Sequence, residues 1–185
     1  RISALAALAR NGASSPAMLA SVNLAPADMP TSALTDWIVA IDRTKGANTA
    51  LRETAERTLR QRIVYEGSRL DLADAANAPW WMMSSGDEMS IKALIAVLGR
   101  PGWSDEGPKM MVGNALRQRR GHWDTTTANA WGTIATQKFA RLYPASAIRG
   151  TTTVSLAGQT LTQGWPLPSD GGLLRLKLPA APAPL

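Results

Sequence analysis

One histidine, three local carboxylate pairs and seven tryptophans are the side chains with chemistry to offer in this chain. His122 lies two residues from Asp124 in the run Gly121-His122-Trp123-Asp124. With a nearby serine they would make a Ser-His-Asp set for acyl transfer. No serine stands in a nucleophile-elbow context, and a helix-entry or surface histidine accounts for the residue without chemistry. The carboxylates pair as Asp71 with Asp74, Asp87 with Glu88, and Asp105 with Glu106. Glycoside hydrolysis needs two carboxyls on facing elements. Each of these pairs is local and lies in a loop or a helix start, where capping and solvated turns explain acids.

Other chemistries are poorly served. With one His and no Cys, only oxygen ligands remain for a metal, and no EF-hand spacing appears. Gly99-Arg100-Pro101-Gly102 reads as a turn rather than a phosphate loop. The aspartate-rich motif of terpenoid cyclases is absent. Trp37 and Trp131 fall on apolar helix faces and read as core, whereas Trp80, Trp81 and Trp103 leave a sugar-binding platform open. We therefore expect no catalytic residue, no metal, no cofactor and no enzyme.

Cysteine absence excludes disulfides and a thiol nucleophile. The 185 residues carry a net charge of +6, with a pI near 10.3. Their basic residues are spread along the chain; the densest cluster, Arg117, Arg119 and Arg120, falls at a predicted helix end, where cations complement the dipole. Nucleic acid is accordingly not an expected partner. No run approaches the roughly 18 apolar residues of a membrane span. Arg1 at the start and a Pro/Ala tail, Pro179 to Leu185, read as a piece cut from a longer protein.

These residues must be positioned by helices. Ile2, Leu5, Leu8 and Ala9 make a first apolar stripe, stopped at Asn11-Gly12. Ser15-Pro16 opens a second helix, with Leu19 and Val22 inward. Thr31 or Ser32 caps a third, faced by Leu34, Trp37, Ile38 and Ile41 and ended at Lys45-Gly46. Asn48 opens a fourth, with Leu51, Ala55, Leu59 and Ile63 inward and Glu53–Arg57 and Glu56–Arg60 paired outside. Val64 to Pro79 breaks the rhythm and predicts an excursion with a short β-hairpin. Ser85 and Glu88 have capping-box spacing before Ile91, Leu94, Ile95 and Leu98. Pro108 starts the next helix, with Val112, Ala115 and Leu116 inward, ending at Gly121. Asp124 or one of Thr125 to Thr127 caps the last, faced by Ala128, Trp131, Ala135, Phe139 and Leu142.

Past Gly150 the composition turns β-prone. Thr151 to Leu156, Thr160 to Thr162 and Leu174 to Leu178 predict strands, with turns at Gly158-Gln159 and Asp170-Gly171-Gly172. The expected class is mainly α: helix hairpins of an α/α toroid over residues 1–148, then residues 149–185 as strands of an adjoining β-sandwich.

Three stretches carry a resemblance. They are Trp80-Trp81-Met82-Met83-Ser84-Ser85, the helix from Ser85 to Leu94, and the entry from Gly121 to Trp131. In that order they resemble the thioester domain of bacterial alpha-2-macroglobulins, and the strands from Thr151 resemble the return into the β-sandwich that holds it. The resemblance implies part of a broad-spectrum endopeptidase inhibitor, a periplasmic protease trap whose parent is lipid-anchored at the inner membrane. It implies proteases, neighbouring β-domains of the same chain and peptidoglycan-synthesis proteins as partners. The family's Cys-x-Glu-Gln thioester has no counterpart here, so no catalytic residue is carried over. What the resemblance implies for this stretch is scaffold and shield around a thioester region upstream. Part of a toroid would leave apolar helix faces uncovered and prone to self-association. The second expectation is a glycan-active or glycan-binding α/α toroid using carboxylates and tryptophans. The third is a plain helical-repeat binding module.

Overall fold

The computed structural model describes residues 1–78, 85–144, 149–165 and 173–177. They fall into two compact units, Arg1–Tyr143 and Pro144–Leu185. The entry Trp80 to Ser84 lies outside the described residues, as do Asp170-Gly171-Gly172 and the tail.

Among its described residues the first unit holds seven α-helices: α1 Ile2–Arg10, α2 Pro16–Ala20, α3 Thr31–Arg43, α4 Thr49–Arg60, α5 Gly86–Val97, α6 Glu106–Leu116 and α7 Thr126–Leu142. A hairpin of β1 Ile63–Glu66 and β2 Arg69–Leu72 interrupts them, pairing Ile63 with Leu72 and Glu66 with Arg69. Gly67 turns it at φ +63°. Contacts skip alternate helices. α3 packs on α1 and α5, and α5 packs on α7, so α1, α3, α5 and α7 form a row. α4 lies on α3, and α6 on α5 and β2.

Two helices fill the middle of this arrangement. Leu34, Trp37, Ile38 and Ile41 of α3 are all buried, as their spacing predicts. α5 buries nine of its twelve residues, among them Ile91, Ala93, Leu94 and Val97. A helix apolar on nearly all sides belongs inside, surrounded by others. Burying a Leu or Ile side chain contributes about 1.5–3 kcal/mol, so this pair anchors the core.

Several local expectations give way. Thr31 is the first helical residue and does not cap; its hydroxyl donates to Asp74 Oδ2 at 2.6 Å, and Pro30 precedes it. The Glu53–Arg57 and Glu56–Arg60 pairs do not form. Glu56 instead faces Arg52 at 3.5 Å and Arg100 at 3.3 Å, and Arg60 reaches Glu106 at 2.8 Å. Arg100 and Glu106, brought by tertiary packing, take Glu56 and Arg60 from each other. Within α4, Arg52 makes a different i,i+4 pair with Glu56, and Arg57 turns to Thr54. Such helix-surface pairs are worth only about 0.2–0.5 kcal/mol. Leu8, Leu51 and Leu142 lie at the edges of their stripes and are each about 40–44% exposed.

α6 is the largest departure. Its inward face is Gly107, Met110, Gly113 and Asn114, and it starts at Glu106 rather than Pro108. Val112 and Leu116, expected inside, are 44% and 61% exposed. A Cβ on Gly113 would collide with the Leu70 carbonyl of β2. The small face allows that approach and turns the bulkier stripe outward.

The second unit holds a hairpin of β3 Gly150–Leu156 and β4 Gln159–Trp165. The third predicted strand does not form over residues 173–177. The Gln159 side chain holds that segment instead, its Nε2 donating to the Lys177 carbonyl at 3.0 Å and its Oε1 accepting from the Lys177 N–H at 3.3 Å. Leu174 and Leu176 are still half-buried in alternation with exposed neighbours.

Candidate functional site

Asp71, Ser85, Asp87, Glu88, Arg117 and Asp124, all singled out by the sequence, converge at the N-terminal end of α5. Ser85 caps that helix, accepting from the Glu88 N–H at 3.0 Å, and its hydroxyl donates to Asp124 Oδ1 at 2.6 Å. The capping box is not reciprocal: Glu88 Oε2 accepts from Thr127 Oγ1 at 2.9 Å. Thr125 caps α7, accepting from the Ala128 N–H at 3.1 Å. Asp124 is thus a link between α5 and the α7 entry rather than a cap.

Arg117, just past α6, is the centre of the group. Its Nε donates to Asp87 Oδ1 at 2.7 Å and its Nη1 to Asp71 Oδ2 at 2.9 Å. Asp71 Oδ1 also accepts from Ser90 Oγ and from the Leu72 N–H, and Asp87 Oδ2 from the Asp124 N–H. Burial works against the guanidinium's charge, but Asp71, then Asp87, outweighs it and raises the Arg117 pKa above the ordinary arginine value. Every charge here is met by an opposite one or by N–H and O–H donors, the condition under which buried ion pairs are tolerated.

The expected role of Arg117, Arg119 and Arg120 at a helix end is therefore corrected. α6 stops at Leu116, and Arg117 turns to carboxylates rather than to the helix carbonyls. Arg119 and His122 pair across a tight turn with Arg120 at φ +54° and Gly121 at φ +83°. Positive φ at both central residues suits a two-residue hairpin, which glycine permits most easily.

Among the described residues, His122, Asp124 and the carboxylate pairs do not come together as a catalytic set. His122 is exposed, and its Nδ1 lies 2.9 Å from the Trp123 carbonyl oxygen. That oxygen only accepts, so Nδ1 holds the proton and no carboxylate orients the ring. The Ser85 hydroxyl is spent on Asp124. The carboxylate pairs part company: Asp71 goes to Arg117 and Asp74 to Thr31, Asp87 to Arg117 and Glu88 to Thr127. Glu106 goes to Arg60, leaving Asp105 beside Ser104. A cleft of about 630 Å³ borders Arg117, Arg119, His122 and Asp124, but its acids are already engaged. Among the described residues no three His, Cys, Asp or Glu side chains gather as a metal site requires.

The tryptophans are structural where described. Trp103 is buried, its Nε1 donating to Glu56 at 3.3 Å under the Arg60 guanidinium. Trp123 donates to the Asn114 carbonyl at 2.8 Å, and its ring leaves no room for a Cβ on Gly132. Trp131 is half-buried, with Arg10 and Lys92 at 5.2 and 6.0 Å from its ring.

A second polar region escapes the sequence. At the other end of α5 lies a cleft of about 460 Å³ to which α1, α3, α5, α7 and the loop after α5 bring Arg10, Arg43, Lys92, Lys138 and Arg100. Each element contributes one cation, so no cluster is visible along the chain. The one signal is Asp36, which interrupts the apolar face of α3 and is buried between Arg10 and Lys92.

No family model matches this chain, and no curated protein or solved structure matches it either.

Proposed function

We propose that this chain is part of a bacterial alpha-2-macroglobulin-like protease trap, in which its helical unit belongs to an α/α toroid shielding a thioester region elsewhere in the parent. The observation that carries this reading is the helix row. Alternate helices α1, α3, α5 and α7 touch in sequence, and the intervening α4 and α6 lie on α3 and α5. Alternate helices in contact, with the intervening ones packed against them, support an α/α-toroid reading. The outward stripe of α6, Val112 and Leu116, supplies a face for a further element to cover. The two stretches around Ser85 and from Gly121 to Trp131 meet at one end of α5 and act there as a joint, which suits a scaffold with no chemistry of its own. The β3–β4 hairpin suits the start of an adjoining β-domain. Proteases, neighbouring β-domains of the same chain and peptidoglycan-synthesis proteins are then the partners, in the periplasm with a lipid-anchored parent.

The glycan reading draws less support. Its carboxylates are tied to Arg117, Thr31, Thr127 and Arg60, and Trp37, Trp103 and Trp123 are buried.

The test uses the full-length parent. A protease is incubated with it, and cleavage of a small chromogenic peptide is compared with cleavage of a protein substrate. Retained peptide cleavage with lost protein cleavage is expected of a trap. Equal cleavage of both substrates, before and after incubation, would overturn the reading. Methylamine treatment with thiol titration then tells a covalent trap, with one new thiol per chain, from a thioester-free one.

A further inference from the structure

The cleft at the C-terminal end of α5 is lined by five cations and one carboxylate, Asp42. Asp36 is shared by Arg10 at 3.4 Å and Lys92 at 3.0 Å. Asp42 and Glu56 hold Arg100 at 2.7 and 3.3 Å. Arg43 and Lys138 form no ion pair among the described residues. Lys138 Nζ donates only to the Ile95 carbonyl, at 2.9 Å, and Arg43 makes no side-chain hydrogen bond there. Both line the cleft, with positive charge left over.

Capping of helix carbonyls accounts for part of this. Lys138 meets the end of α5, and Arg100 Nε donates to the Ala96 carbonyl at 2.5 Å. It does not account for Arg43, which is exposed beside two other cations. Burial first, then Arg100 and Arg43, lowers the Lys138 pKa, and Asp42 offsets only part of that. A group held against its own charge is one that a counter-ion would relieve. The cleft also has an apolar wall. Val39, Ile95 and Ile134 line it with Trp131, whose ring already draws two cations. Its volume is within the range that suits a small organic molecule.

We propose that this cleft binds a small organic anion, with a phosphate or carboxylate head between Arg43 and Lys138 and an aromatic or alkyl body against Trp131 and Ile134. Arg43 then supplies a two-pronged guanidinium to the head, and Lys138 a point charge. This inference is independent of the protease-trap reading; the cleft lies wholly within one unit, and its test needs only the 185-residue chain.

Phenyl phosphate, benzoate and inorganic phosphate are titrated calorimetrically into that chain. Saturable binding of phenyl phosphate or benzoate is expected, about tenfold or more tighter than inorganic phosphate, because only the first two carry a body. Whichever of the two binds tighter names the head. Arg43→Gln and Lys138→Gln should each weaken it about tenfold, the loss of one charge-assisted bond, with Lys109→Gln on α6 unchanged. Arg43 is exposed, so its variant folds whatever Lys138→Gln does, and circular dichroism checks both. Absent binding, equal affinity for inorganic phosphate, or equal weakening by Lys109→Gln would each overturn the proposal.

Discussion

The two ends of α5 carry the two polar regions of the helical unit, and they are built on opposite terms. At the Gly86 end, one guanidinium stands between two carboxylates, and the Ser90 hydroxyl with the Leu72 and Asp124 N–H groups occupies further lone pairs on them. At the Val97 end, five cations converge and two of them have no carboxylate. A polar group satisfied from within holds elements together; a polar group left wanting invites something from outside. The residue types that look like chemistry in the sequence sit at the first end, where they are spent on structure. The unremarked Arg10, Arg43, Lys92, Arg100 and Lys138 sit at the second.

Substitutions at the closed end should therefore cost stability, and those at the open end should cost binding. The largest effect is expected from Gly86→Ala. Its Cβ would press on the Ala75 carbonyl, which is backbone and cannot give, and would stand 3.0 Å from Arg117 Nη2. Overpacking of this kind should cost about 3 kcal/mol, read by urea unfolding. Arg117→Met comes next, at about 2–3 kcal/mol, because it strands Asp71 and buried Asp87 while the site keeps some solvent. Adding Asp71→Asn and Asp87→Asn to that variant should recover part of the loss. A triple variant as unstable as the sum of its parts would mean the network is not a unit. Ser85→Ala should cost about 1 kcal/mol through the lost cap, seen as a lower melting temperature.

Lys138→Met should cost least, within about 0.5 kcal/mol at neutral pH, while weakening anion binding about tenfold. Its pH dependence carries a sign. Lys138 has a lowered pKa in the fold, so the folded chain binds fewer protons than the unfolded one around that value. Wild-type stability should rise as pH climbs from the lowered pKa towards the ordinary 10.5, and fall back as pH drops through it. Lys138→Met should lack that slope; an identical slope in both proteins would remove Lys138 as its source.

The apolar rhythm of α3 and α5 is legible in the sequence because Leu34, Trp37, Ile38 and Ile41, and Ile91, Leu94 and Val97, recur at helical spacing and are all buried. The Asn48 and Ser85 caps are legible because their bonds are local. Thr31 is not, since its hydroxyl is claimed by Asp74, 43 residues on. α6 misleads for a different reason. Period alone puts Val112, Ala115 and Leu116 inside, but Gly107 and Gly113 offer a closer approach to β2, and closeness decides the face. Leu174 to Leu176 keep their alternation yet form no strand, because Gln159 takes up the Lys177 backbone from its side chain. The closed polar site could be guessed in its members but not its pairings. The open cleft could not be guessed, because each of its cations comes from a different element.

The contact between Gly113 and the Leu70 carbonyl bears on how the unit opens. With no side chain between them, α6 and β2 have no slack to share, and Leu70 and Leu72 are sealed beneath the helix. Neither can swing out alone without baring the other's backbone. The β1–β2 excursion, which looks like an ornament on a helical frame, therefore breathes with α6 as one cooperative element. Its amides and those of Met110 to Asn114 are expected to exchange with solvent at a common rate, which native-state hydrogen exchange would check.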